Sequence, residues 1–141
     1  MIVREIMSAE PWATSVSSNL RHVLRLLAEA DVRHLPILED GALVGIISDR
    51  DLRAVSTLVD TSDDSEARRR ALAQPASSVM SSNVISVHPD TEVPEVIDLM
   101  IEHRIGAIPV VEPGSAKLVG IVSYVDALRA ARDHTSLRYP C

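Results

Sequence analysis

The stretch Gly45-Ile46-Ile47-Ser48-Asp49-Arg50-Asp51 returns later in the chain as Gly120-Ile121-Val122-Ser123-Tyr124-Val125-Asp126. A Met-Ser pair and an apolar-Pro-apolar run precede both stretches in the same order, at 7–8 and 35–38 in the first copy and at 80–81 and 108–111 in the second. An internal repeat fixes the architecture before single residues are interpreted. The chain is therefore predicted to contain two copies of one supersecondary unit.

Each copy predicts the order strand, helix, hairpin, helix. Apolar residues recur at helical spacing after Ser18 and after Thr91, which are the predicted N-caps of the first helices. The apolar runs 35–38 and 43–47 flank Asp40-Gly41, and this pair favours a tight hairpin turn. The second turn, at 112–117, is longer. Short strands are predicted near 13–16 and 84–87, and a last helix follows each Ser-x-x-Asp motif.

Composition indicates a compact domain with an aliphatic core, because 46% of the residues are hydrophobic, only 2% are aromatic and Phe is absent. One repeat alone would bury little surface, so we expect the two repeats to pack on each other. The net charge of −6 argues against nucleic acid as a partner. No apolar run has the length of a membrane span, the N-terminus does not resemble a signal peptide, and Cys141 is the single cysteine. These features predict a cytoplasmic protein without a membrane partner.

The repeat boundaries predict four segments. The first repeat takes 1–56, a helical linker takes 57–75, the second repeat takes 76–133, and the tail 134–141 is expected to be disordered. The run Arg68-Arg69-Arg70 follows acidic residues, in the order that complements the dipole of a short helix. We therefore interpret the run as a solvated face of the linker helix.

The Ser-x-x-Asp motifs, Ser48 to Asp51 and Ser123 to Asp126, carry the chemistry of the chain. A hydroxyl at the N-cap and a carboxylate three residues later form a capping box, which stabilises a helix by about 1 kcal/mol. The same helix N-terminus attracts phosphate, and an Asp can accept from both vicinal hydroxyls of a ribose. The residues alone leave both interpretations open.

These duplicated motifs resemble those of a tandem pair of CBS domains, the cystathionine-β-synthase regulatory module, and the resemblance extends from Val3 to about Ala131. The resemblance implies an α+β fold of two βαββα repeats packed as an intramolecular pseudo-dimer, a Bateman module. It also implies that Asp51 and Asp126 each hold the ribose of an adenosine ligand, with Ser48 and Ser123 near the phosphate. In the family, the partner repeat completes each pocket. The resemblance therefore implies that Asp51 faces Met80, Ile85, Ile105 and Gly106, and that Asp126 faces Met7, Trp12, Val32 and Arg33.

The two implied sites differ in charge. In the family, residues before the strand proline often touch phosphate, so Arg33 and His34 are expected at the Asp126 site, while Arg50 serves the Asp51 site. Val125 takes the place of Arg50 in the second motif and completes the candidate set. The alternatives are a surface role for Arg33 and a structural role for His34. Trp12 either stacks on adenine or fills the aliphatic core.

No catalytic or metal-binding constellation stands out, because the five His residues show no ligand spacing with Cys141 or with acids and no phosphate-binding glycine loop is present. The sequence thus predicts a non-enzymatic regulator, without a required cofactor, that binds AMP, ADP or ATP and changes the packing of its repeats for an unidentified protein partner. The resemblance implies a homodimer formed through the helices. The alternatives are a degenerate pair that serves only dimerisation or protein interaction, and a sensor of S-adenosylmethionine, a cyclic dinucleotide or a divalent cation. A hydrolase or transferase would need a nucleophile and base that the sequence lacks.

Overall fold

Two three-stranded sheets with helices packed on them make up the computed structural model, which describes residues 1–53, 55, 57 and 65–134. The strands are β1 (Ser8–Ala9), β2 (Thr14–Ser15), β3 (His34–Glu39), β4 (Ala42–Ser48), β5 (Ala107–Val111) and β6 (Leu118–Ser123). The α-helices with defined bounds are α1 (Leu20–Ala30), α2 (Ser65–Ala73), α3 (Val93–His103) and α4 (Tyr124–Asp133), and 3₁₀ helices lie at Val3–Glu5 and Ala76–Ser78. Arg53, Val55 and Thr57 are helical after the first motif.

Contacts divide the chain into two compact units. The first unit takes Trp12–Val84, and the second takes Met1–Pro11 together with the chain from Ile85 onward. Each unit contains a helix, a hairpin and a second helix in the predicted order, and β2 in the first unit is the strand expected near 13–16. The strand expected near 84–87 is not formed, since only Val87 of that segment pairs, through an isolated bridge to Val110. The mixed α and β composition of the fold is therefore confirmed.

The first unit has the sheet order β2-β3-β4, with β2 parallel and β4 antiparallel to β3. Asp40 and Gly41 both have positive φ angles, 51° and 82°, as the two central residues of a type I′ hairpin turn require. The predicted Asp-Gly turn is thus confirmed. The second unit has the order β1-β6-β5, antiparallel throughout, and its longer turn closes where the Glu112 N–H donates to the Lys117 carbonyl (3.0 Å).

The core of each unit is aliphatic, as predicted. In the described part of the chain, every buried hydrophobic side chain is Val, Leu, Ile, Met or Ala. The helices α1 and α3 each place a stripe of three such residues on their sheets, at the spacing read from the sequence: Leu20, Val23 and Leu27 on α1, and Val93, Val96 and Met100 on α3.

Each Met-Ser pair joins the sheet of the other repeat, and not that of the repeat that follows it in sequence. Ser8 in β1 pairs with Ile121 of the second unit, whereas Ser81 bridges to Ile46 of the first unit through two backbone hydrogen bonds of 2.9 and 3.0 Å. We call 7–8 and 80–81 the Met-Ser segments. Because of this exchange, the compact units do not follow the repeat boundaries expected from the sequence.

A glycine explains how each Met-Ser segment approaches its sheet. A Cβ on Gly120 would lie 2.6 Å from Met7 Sδ and 3.0 Å from the Ser8 carbonyl oxygen. Gly45 has the same relation to the sulfur of Met80. The glycine of each repeated motif therefore makes room for the Met-Ser segment.

Both predicted helix caps are wrong by one position. Asn19 is the N-cap of α1 and its side chain accepts from the His22 N–H (2.9 Å), whereas the Ser18 hydroxyl bonds to that of Thr14 (2.7 Å). The N-cap of α3 is Glu92, without a side-chain cap, and Thr91 instead accepts from the His88 N–H (3.0 Å). Each helix begins one residue later than the pattern suggested, so the predicted hydroxyls close the preceding turns.

The segment predicted as a linker contains α2, which packs against α1 and buries Ala71. This helix therefore belongs to the first unit. Arg69 and Arg70 on it are exposed, as expected for a solvated face, whereas Arg68 of the same run is half-buried. Residues 58–64 of the predicted linker and 135–141 of the predicted disordered tail lie outside the described residues.

Candidate functional site

The first Ser-x-x-Asp motif forms a capping box where β4 ends. The Ser48 N–H donates to Asp51 Oδ2 (2.9 Å), and the Asp51 N–H donates to Ser48 Oγ (3.2 Å). The Asp51 side chain is exposed and Ser48 is half-buried. The box thus presents a carboxylate to solvent in a fixed orientation.

The second motif repeats this geometry and adds one contact. The Ser123 N–H donates to Asp126 Oδ2 (2.9 Å), the Asp126 N–H donates to Ser123 Oγ (3.2 Å), and the Ser123 hydroxyl also donates to Oδ2 (3.0 Å). Ser123 is the N-cap of α4, and Asp126 is half-buried. The capping function read from the sequence is therefore present in both repeats.

Both boxes use the same oxygen of the carboxylate. Among the described residues, hydrogen bonds reach Oδ2 of Asp51 and of Asp126, and Oδ1 receives none. A carboxylate oxygen has two lone pairs that can accept from hydroxyl groups. Each motif therefore keeps an acceptor that the helix does not use.

The residues before the proline-containing strands lie beside the motif of their own repeat. The Asp49 N–H donates to the Arg33 carbonyl (2.9 Å), and His34 pairs with Ser48 across the hairpin. In the second repeat, the equivalent bond runs from the Tyr124 N–H to the Gly106 carbonyl (2.8 Å).

The backbone of Arg33 and His34 thus lies beside Ser48 and Asp49 of its own repeat, because the antiparallel hairpin returns the end of β4 to the start of β3. The expected place of these two side chains at the Asp126 site stays a prediction. Gly106, assigned to Asp51, lies beside the second motif in the same way.

Burial lowers the pKa of the His34 imidazole below its ordinary value of 6.5. The carboxylates of Asp49 and Asp51 act in the opposite direction, and the Arg33 guanidinium adds to the lowering. These charges place His34 within electrostatic reach of the first motif. The second repeat has Ala107 at the position of His34 and Val125 at that of Arg50, so neither the imidazole nor this guanidinium has a counterpart there.

The other predicted site residues divide between the units. Met80, Val32 and Arg50 lie in the first unit with Asp51, and Met7, Ile85, Ile105 and Val125 lie in the second with Asp126. Trp12 belongs to the first unit and is 56% exposed, so the alternative that it fills the core is wrong. Tyr124, which no sequence-based prediction named, is 48% exposed on the first turn of α4 and stands where the first repeat has Asp49.

The model of the CBS domain family matches residues 3–57 and 76–133. The chain belongs to the CBS domain family. The CBS domain-containing protein YhcV of Bacillus subtilis (strain 168) is 28% identical over 124 residues, which are 88% of this chain and 81% of YhcV. The chain is thus similar to a protein of comparable length that carries the CBS name.

Solved structures of CBS proteins share the fold. CBSX2 in complex with AMP has a TM-score of 0.76 at 25% identity, covering 92% of this chain and 94% of CBSX2. The CBS domain pair of protein MJ0100, in complex with 5′-methylthioadenosine and S-adenosyl-L-methionine, has a TM-score of 0.73 at 28% identity, covering 92% and 94%. The fold class of a CBS pair is therefore shown.

No group of three or more His, Cys, Asp or Glu side chains among the described residues is placed to hold a metal ion. Their helices are all too short or too polar to span a bilayer.

Proposed function

We propose that this CBS pair is a regulatory module that binds an adenine nucleotide, AMP, ADP or ATP, through its Ser-x-x-Asp motifs. The free Oδ1 of Asp51 and of Asp126 is the observation that carries the proposal. The AMP complex of CBSX2 supports an adenosine ligand, and the MJ0100 complex extends the same ligand class to S-adenosylmethionine.

The capping box suits a ribose because one carboxylate can serve two partners. Oδ2 stays with the backbone N–H of the motif serine, and Oδ1 accepts from the ribose hydroxyls. The helix N-terminus favours the negative charge of a phosphate, and the serine hydroxyl lies at the same end. No bond in the ligand is made or broken in this proposal, so the protein is not an enzyme.

The two sites differ in their preference for charge. The backbone of Arg33 and His34 lies beside the first motif, which itself contains Arg50, whereas the second repeat has Gly106, Ala107 and Val125 at these positions. A guanidinium suits phosphate oxygens. The first site accordingly takes the nucleotide with the greater negative charge, and the second tolerates a ligand such as S-adenosylmethionine.

The output passes to another protein. A ligand shifts a conformational equilibrium by its difference in affinity for the two states. The proposed module is cytoplasmic, forms a homodimer and presents the nucleotide-bound state to a regulated partner. Its Met80, Ile85, Ile105, Met7, Trp12 and Val32 side chains form the remaining walls of the sites.

Titration calorimetry with AMP, ADP, ATP and S-adenosylmethionine tests the proposal, with Asp51→Asn and Asp126→Asn as the decisive variants. Asn keeps an oxygen that accepts from the serine N–H, so the cap is retained, but its NH₂ group cannot accept from a ribose hydroxyl. We expect saturable binding by the native chain and a loss of roughly tenfold or more in affinity at the altered site, since hydrogen bonds to charged groups contribute about 1.5–3 kcal/mol.

Asn19→Ala is the matched control, because it removes a helix cap that belongs to neither Ser-x-x-Asp motif. It should lower stability and leave nucleotide affinity unchanged. Absence of binding by the native chain to all four ligands would refute the proposal, as would equal affinities for the native and both Asn variants.

A second candidate function is a CBS pair that acts only in protein interaction. The capping boxes favour this function, because the serine and the aspartate of each motif already hydrogen-bond each other's backbone N–H and so have a structural role. In that case Asp51→Asn and Asp126→Asn would change neither ligand binding nor stability.

A further inference from the structure

Two helices of the first unit meet at an arginine-rich junction. The Leu20 N–H at the start of α1 donates to the carbonyl of Gln74 just after α2 (2.9 Å), and α2 packs against α1. Because a helix rises about 1.5 Å per residue, two arginines of each helix lie within about 8 Å of this junction, whereas the acids Glu29 and Glu66 lie farther along. We call these exposed arginines the α1–α2 basic face: Arg21, Arg25, Arg69 and Arg70.

Helix stability does not account for the arginines on α1. Arg70 complements the dipole of α2 in its last turn, but Arg21 stands in the first turn of α1, which contains no acid. A cation there opposes the helix dipole and destabilises the helix. In the described part of the chain, moreover, no acidic side chain pairs with any arginine of the basic face.

The second repeat shows that the fold does not require cations at these positions. Asp98 stands on α3 where α1 has Arg25, and Pro94 stands where α1 has Arg21. All four side chains are exposed. The α1–α2 basic face is therefore a property of the first copy, and the packing of the repeat does not explain it.

Charge and size favour an acidic protein segment as the partner of this face. The whole chain has a net charge of −6, so the basic face is confined within a mostly acidic molecule. A long polyanion such as nucleic acid would pass beyond the face and be repelled by the acidic remainder. The 11 residues of α1 span about 16 Å, which about five residues of an extended peptide match. Guanidinium groups bind carboxylates through two parallel hydrogen bonds, so a short run of Asp and Glu side chains suits the face.

We propose that the α1–α2 basic face binds a short acidic segment of the protein that this module regulates. The inference rests on the proposed function only for the existence of a regulated partner, and it adds the chemistry by which that partner is recognised. Binding of the segment needs no nucleotide, because the arginines of the face belong to neither Ser-x-x-Asp motif. Salt screens exposed charges, so the complex weakens as the ionic strength rises.

Fluorescence anisotropy with a labelled peptide of about five alternating Glu and Asp residues tests the docking site, and the same peptide with Gln and Asn is the neutral control. We expect Arg25→Glu combined with Arg70→Glu to weaken binding of the acidic peptide at least roughly tenfold, because two attractions become repulsions. Lys117→Glu combined with Arg129→Glu makes the same change of net charge at exposed positions of the second unit and should leave binding unchanged. A native chain without affinity for the acidic peptide overturns the proposal, and so do equal losses in the two double variants.

Arg21→Glu separates binding of the segment from folding. The change places an acid in the first turn of α1, so it should raise the free energy of unfolding while it weakens peptide binding. Lower stability together with weaker binding would show that Arg21 supports the fold and would remove it from the docking site.

Two other occupants of the face give different results. A labelled single-stranded oligonucleotide that binds more tightly than the acidic peptide, and that Arg25→Glu with Arg70→Glu releases, would make nucleic acid the partner and overturn the proposal. A mass that rises with protein concentration and that the same double variant reduces would show that a second copy covers the face, which also overturns it. Calorimetry should give the same AMP affinity for this double variant as for the native chain, so the docking site and the nucleotide site fail independently.

Discussion

The backbone N–H of Asp49 donates a hydrogen bond to the carbonyl oxygen of Arg33 at 2.9 Å. This bond joins the residue that precedes β3 to the residue that follows β4, and so brings Arg33 to the Ser48–Asp51 motif. The second repeat has the same bond between Tyr124 and Gly106, at 2.8 Å, with Gly106 at the position of Arg33. The difference between the two sites thus arises from side chains on an identical backbone arrangement.

Protonation of His34 should make the protein less stable at acid pH. Burial lowers the pKa of this imidazole in the folded state. As the pH falls below about 6.5, the unfolded chain therefore binds a proton that the folded chain does not yet bind. The free energy of unfolding should therefore fall between about pH 7 and pH 5, and less steeply in His34→Gln. Urea denaturation at a series of pH values measures both slopes, and equal slopes would contradict the assignment.

Removing the cap of α1 should cost more than removing the hydroxyl that precedes it. Asn19→Ala deletes the acceptor for the His22 N–H and should lower the free energy of unfolding by about 1 kcal/mol. Ser18→Ala removes only a hydroxyl pair with Thr14 and should cost less. Urea denaturation of the two variants compares these costs, and the reverse order would show that α1 begins earlier.

A methyl group at Gly120 should destabilise the second unit through Met7. Gly120→Ala places a Cβ against Met7 Sδ and should cost about 1–3 kcal/mol. Met7→Ala makes room for that methyl, so the double variant should lose less than the sum of the single losses. Thermal denaturation of the four proteins gives the coupling energy.

Gly114→Ala is the control for that cycle, because Gly114 has a φ of 78° and nothing within 4 Å of its added Cβ. It should lose stability through backbone strain and show no coupling to Met7→Ala. Strictly additive losses for Gly120 and Met7 would mean that the sulfur moves aside without cost.

Trp12 should report nucleotide binding through its fluorescence. It is the only Trp in the chain and is 56% exposed, so its emission should initially resemble that of indole in water. Stacking on adenine should quench or shift the emission to shorter wavelength, and Trp12→Leu should weaken binding roughly two- to tenfold, as expected for about 0.5–1.5 kcal/mol. Unchanged emission at nucleotide concentrations that saturate the calorimetric signal would remove Trp12 from the site.

Local patterns predicted most of the elements. The Asp40-Gly41 turn and the apolar spacing of α1 each depend on neighbours in the chain, so the sequence around them determines their structure. The capping boxes were readable for the same reason, because Ser48 and Asp51 are only three residues apart.

Pairings between distant segments were not predictable in this way. The Met-Ser segments have the same pattern in both copies, so periodicity cannot tell which sheet each one joins. The place of Arg33 depends on the return of a hairpin that joins it to Asp49. Ser18 and Asn19 are both good N-cap residues, and only the helical backbone that starts at Leu20 decides between them.

Because the Met-Ser segments are exchanged, the sheet of each repeat depends on backbone from the other repeat. A chain cut between the repeats would yield two pieces, each carrying backbone that completes the sheet of the other piece. Either piece alone would leave an open sheet edge, which invites association with other chains. The exchange thus takes place within one polypeptide, whereas separate single-repeat chains would have to make it between molecules.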